Sequence, residues 1–106
     1  MPRSYSPVTR EAIRLLGGQV ALARRERRMG VRELAERAGT SPPTVRKIER
    51  GDPQVTIGIA FEVAAVVGVV LFDPDPDARA AEARRVDDHL ALLPRRVRAR
   101  RVDDDF

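Results

Sequence analysis

Apolar residues recur at helical spacing through most of the chain. In residues 10–28, Ile13, Leu16, Val20 and Ala23 fall on one stripe, and Thr9 stands where it could cap the helix. Gly17 and Gly18 interrupt that stripe, and each costs about 1 kcal/mol against Ala in a helix interior. The helix is therefore kinked or split there, or two backbones approach closely. Arg24, Arg25, Arg27 and Arg28 end it, where cations suit the helix dipole. Residues 31–38 predict a second helix with Leu34, Ala35 and Ala38 inward, after Gly30 and before a left-handed turn at Gly39. Ser41 caps a third helix and Pro42 takes its first position, where a missing N–H costs little. Val45 and Ile48 point inward there, leaving Thr44, Arg46 and Lys47 outside. Gly51-Asp52-Pro53 forms a turn. Thr56 then caps a fourth helix over residues 57–67, with Ile57, Ala60, Phe61, Ala64 and Val67 inward, and Gly68 ends it.

The period then changes. Val69, Val70, Leu71 and Phe72 form a short apolar run bounded by Gly68 and Asp73-Pro74, which reads as a strand. One strand is not stable alone, and the chain offers no second candidate, so the expected partner is the same strand of a second copy. Asp77 can cap a fifth helix over residues 78–92, ended by Pro94. The fold class expected is all-α: five helices, one dimerising β-strand and a charged C-terminal tail. The expected divisions are a flexible arm (1–8), a helical domain (9–68), a dimerisation strand with its helix (69–93) and the tail (94–106).

Composition narrows the function. The chain has 106 residues and no cysteine, hence no disulfide and no thiolate metal site. No apolar run approaches the roughly 20 residues that span a bilayer. The first ten residues hold no signal-peptide core, so a cytoplasmic location is expected. The net charge of +4 is unevenly placed. Residues 1–51 carry 12 basic and 5 acidic groups, whereas residues 52–93 carry 3 and 8. Arginine-rich codon usage explains why Lys47 is the only lysine, but not this segregation. A polyanion partner for the first half does explain it.

Two short helices joined at Gly39, with a basic outer face on the second, are the arrangement by which a helix-turn-helix offers a helix to the major groove. Residues 16–70 resemble the Xre/Cro-repressor family, whose lambda-repressor-like domain is matched here by LAERAG, the Ser41 cap, TVRKIERG and the closing VVGV. Within it, the chain is most similar to HipB-like antitoxins, partners of HipA-like Ser/Thr kinase toxins. The segments carrying that likeness are Gln54–Gly58, Val69–Phe72 and the acidic-aromatic end Asp103–Phe106. The resemblance implies that the Ser41 hydroxyl and the first-turn amides meet a phosphate or a base. It places Pro42, Pro43 and Lys47 at base-reading positions, flanked by Thr40, Thr44 and Arg46, with Arg46 toward phosphate. It also implies an ion pair between Arg24 and Glu49. Two departures stand out. Prolines occupy positions where the family often has Gln or Arg, so direct readout leans on Lys47. Val31 replaces a common phosphate-binding Gln, a role that Arg32 can assume.

The expected function is that of a dimeric repressor binding an operator palindrome in its own promoter, and of an antitoxin restraining a HipA-like kinase. A stand-alone Xre-type regulator and a pure protein-interaction module are the alternatives. In the tail, acids following arginines repel phosphate, so Arg98, Arg101, Asp104 and Phe106 are expected to meet the protein partner rather than DNA. His89 lacks a nucleophile or second ligand nearby in sequence. Asp73, Asp75 and Asp77 lack the Gly and distal Glu of a calcium loop. No catalytic set, cofactor motif or metal cluster is readable, so no enzyme activity and no cofactor are expected.

Overall fold

The computed structural model describes residues 4–97. Its helices are α1 (Pro7–Glu26), α2 (Val31–Ala38), α3 (Pro42–Glu49), α4 (Ile57–Val66) and α5 (Pro76–Leu92). The chain divides into two compact units at the Leu71–Phe72 junction, with α1–α4 in the first and α5 in the second.

In the first unit, α1 starts earlier than Thr9 suggests. Ser6 is the cap, its Oγ accepting from the Thr9 N–H at 3.3 Å, and Pro7 supplies a first-turn residue with φ already set. Pro7 and Val8 thus belong to the helix and not to an arm. The helix continues through both glycines to Glu26 and is not split there, whereas the close approach of two backbones does occur at Gly17. The chain reverses at Arg28, a non-glycine residue at φ +53°, and Met29 tucks into the core.

The core is aliphatic and small. Val20, Leu34, Val45, Val63, Ala64 and Val67 are almost completely shielded, and Ile48 nearly so. The α4 register differs from expectation: Val63 is buried, whereas Ile57 is 70% exposed and Phe61 half-buried. α4 is apolar on nearly every side, so periodicity could not select its inner face. Contact with both α1 and α2 selects it.

The strand expected at Val69–Phe72 does not form, and no strand occurs among the described residues. The Val69 N–H closes the end of α4 by donating to the Ala64 carbonyl at 2.9 Å. Val69 and Leu71 pack on the core, and Phe72 adopts φ +72°, which breaks an extended run. β-branched side chains favour extended backbone, but a ladder also needs a neighbour.

In the second unit, α5 begins at Pro76, with Asp75 and not Asp77 as the cap; the Asp75 Oδ1 accepts from the Asp77 N–H at 3.0 Å. No residue of α5 is buried.

Candidate nucleic-acid interface

Two contacts with α1 fix the position of α3. The first is a close backbone approach at Gly17. A Cβ there would collide with the Ile48 carbonyl oxygen and stand 3.0 Å from that of Glu49. A glycine that weakens the helix locally thus lets α3 lie against α1. The second is a forked ion pair. Arg24 donates from Nε to Glu49 Oε2 at 2.6 Å and from Nη2 to Oε1 at 2.9 Å, and its Nη1 donates to the Met29 carbonyl at 3.0 Å. The side chains are only 11% and 12% exposed. The hydrogen bonds that Arg24 donates to Glu49 outweigh burial and raise its pKa above the ordinary value, and the carboxylate charge adds to this. Arg24 therefore stays charged, and its bidentate geometry locks the end of α3 to α1.

With α3 held from behind by Val45 and Ile48, its opposite side faces outward. At 3.6 residues per turn, Pro43, Arg46, Lys47 and Arg50 share that side. Arg46 and Lys47 are exposed. Arg50 is not among the residues singled out from sequence, where the adjacent Gly51-Asp52-Pro53 turn marks it as the end of the motif. It is 63% exposed at the α3 C-cap and lies 3.8 Å from the Asp52 carboxylate. Its spacing from Pro43 and Lys47 is the signal that finds it.

The α3 N-terminus departs from the expected phosphate cradle. Pro42 and Pro43 have no N–H, and the Thr44 N–H is taken by Ser41 Oγ at 3.3 Å. What remains is the hydroxyl pair of Ser41 and Thr44, 2.9 Å apart, with Ser41 exposed and Thr44 half-buried. The first-turn amides therefore cannot do what the resemblance implied, because two are missing and the third is satisfied. α2 is different. Its N-cap is Gly30 with no side-chain hydrogen bond, so the amides of its first turn keep their donors free of a side-chain cap beside the exposed Arg32. Thr40 is half-buried, and its N–H donates to the Ala35 carbonyl at 2.9 Å, closing α2 together with Gly39 at φ +71°.

The remaining expected sites are spread elsewhere. In the 69–72 segment, Val70 is 57% and Phe72 92% exposed. Arg98, Arg101, Asp104 and Phe106 lie outside the described residues. Among those described, no cluster of potential metal ligands occurs, and no helix is long and apolar enough to cross a membrane.

A rigidly backed, outward basic helix edge preceded by a helix with open N-terminal amides has the parts needed for groove and phosphate contact together. Comparison with protein families gives a match over residues 20–71 to the family described as Helix-turn-helix. No match is found among curated proteins or among solved structures. From the second half of α1 to Leu71, the chain carries a helix-turn-helix domain of the Xre/Cro type, a DNA-binding fold.

Proposed function

We propose that this protein is a sequence-specific transcriptional repressor that binds a two-fold operator as a pair of copies. The observation that carries this reading is the outward edge Arg46–Lys47–Arg50, fixed against α1 through Gly17 and the Arg24–Glu49 pair. Lys47 donates to guanine O6 and N7, Arg46 and Arg50 neutralise phosphates, and Pro43 touches a thymine methyl or the sugar edge. Arg32 and the α2 amides hold a further phosphate; Ser41 and Thr44 offer hydroxyls where Pro42 offers none. With one principal base contact per copy, a worth of about 1–3 kcal/mol, a single half-site is too weakly read, and repetition through a second copy supplies the rest.

The test is selection of bound sequences from a random DNA pool, followed by titration of the selected site with the protein and with Lys47→Ala. A two-fold sequence and a loss of discrimination in the variant support the reading. An unselective pool refutes it.

The narrower role as an antitoxin of a HipA-like kinase rests on the resemblance of Gln54–Gly58 and of the tail. One structural fact favours a protein partner beyond the DNA-binding unit: α5 buries none of its residues, although Val86, Leu90 and Leu92 are among them. Co-purification with the product of a neighbouring kinase-like gene tests it. Removal of residues 95–106 should abolish co-purification and leave operator binding intact. An adjacent gene of any other kind, or none, favours the stand-alone regulator.

A further inference from the structure

α1 carries two apolar stripes, and only one is used inside the molecule. Leu16, Val20 and Ala23 face the core. Val8, Leu15 and Leu22, spaced by seven, are 78%, 62% and 60% exposed. Interleaved with them at the same period stand Glu11, Gly18 and Arg25, all exposed. At 100° per residue this strip lies nearly opposite the core face, and it runs for roughly 26 Å.

Gly18 is the residue without an internal explanation. Gly17 admits α3, but a Cβ at Gly18 would meet nothing within 4 Å. A glycine at an open position in a 20-residue helix forfeits stability. It gives something back only if another backbone comes close. The groove around it is lined by Leu15, Leu22, Glu11 and Gln19.

The charges on the strip say what that other backbone is. Set α1 antiparallel to a second α1 with the two Gly18 residues facing each other. Leu15 then meets Leu22 of the other copy, and Glu11 meets Arg25, each contact occurring twice. That reciprocity is what a two-fold interface requires. Neither Glu11 nor Arg25 forms an ion pair among the described residues. We propose that two copies of this chain pair antiparallel through the outer face of α1, crossing at Gly18. A contact made by one helix face of each copy depends on protomer concentration, so the pair exchanges with monomer in free solution. The inference deepens the two-copy part of the proposed function and is independent of DNA contact by α3.

Sedimentation of the full chain without DNA, over a wide concentration range, tests it. The wild type should pass from monomer to dimer with rising concentration. Leu15→Glu and Leu22→Glu should each weaken pairing by at least tenfold. Gly18→Leu should do the same while circular dichroism shows the fold kept. Glu11→Arg and Arg25→Glu should each weaken pairing, and the double variant should recover it. Recovery is a result that mere surface damage cannot produce. A wild type that stays monomeric throughout, dimers indifferent to Leu15 and Leu22, or a double variant no better than the singles would overturn the proposal. DNA binding measured in parallel separates its failure from that of the operator reading.

Discussion

Adjacent glycines in α1 should respond to the same substitution with opposite signs. In Gly17→Ala, the new methyl enters space held by the Ile48 and Glu49 carbonyls. Alanine returns about 1 kcal/mol of helix propensity. Against it stands overpacking, which costs about 1–3 kcal/mol where side chains can adjust. Here the obstacle is backbone, and no rotamer relieves it, so the upper part of that range or beyond applies. Separating α1 from α3 also stretches the 2.6 and 2.9 Å bonds between Arg24 and Glu49. The net expectation is a loss of about 2 kcal/mol. For a domain of this size that lowers Tm by roughly 10 °C. In Gly18→Ala the methyl meets nothing, so the propensity gain stands, and Tm rises by about 5 °C. Thermal melts followed by circular dichroism, at concentrations low enough to keep the chain monomeric, read both. A Gly17→Ala protein at least as stable as wild type would refute the close approach that positions α3.

Other substitutions separate the supporting contacts. Glu49→Ala leaves Arg24 charged and shielded without its main partner, and should cost about 2–4 kcal/mol in urea unfolding. Arg46→Ala and Arg50→Ala should weaken binding to all DNA sequences alike and lower the salt slope by about one unit each, as read by fluorescence anisotropy at several salt concentrations. Phe72→Ser should change stability by less than about 0.5 kcal/mol, because the ring is 92% exposed.

The helix-turn-helix was readable because its signals are chemical and local. Gly39 must turn left-handed, Ser41 caps, and Pro42 cannot sit deeper in a helix. The end of α2 and the start of α3 follow from those three residues. The Arg24–Glu49 pair came from the family resemblance and is present. Where the signal is only hydrophobic, it does not select the buried face. α4 is apolar all round, so its period did not single out Val63 or exclude Ile57. α1 has two apolar stripes, and spacing does not say that Leu15 and Leu22 stay outside. Val69–Phe72 has β-branched residues, but local preference cannot supply a ladder partner. Phe72 turns left-handed instead. At the caps of α1 and α5, each start lies two or three residues early, because Pro7 and Pro76 suit the first turn better than the residues after them. The α3 amides are a different case: the prolines' missing N–H groups are plain in the sequence, but the loss of the phosphate cradle also depends on the Thr44 N–H being taken by Ser41 Oγ.

The central claim is that the exposed edge of α3 reads DNA, with Lys47 as the base contact. Its most direct measurement is the ratio of affinities for a selected operator and a scrambled duplex, taken at one salt concentration for wild type and Lys47→Ala. The expected result is a drop of at least about thirtyfold on the two-fold operator, with the scrambled duplex changing much less, in keeping with the loss of one base contact per copy, each worth about 1–3 kcal/mol. An unchanged ratio in Lys47→Ala would contradict the claim and move sequence recognition off this edge of α3.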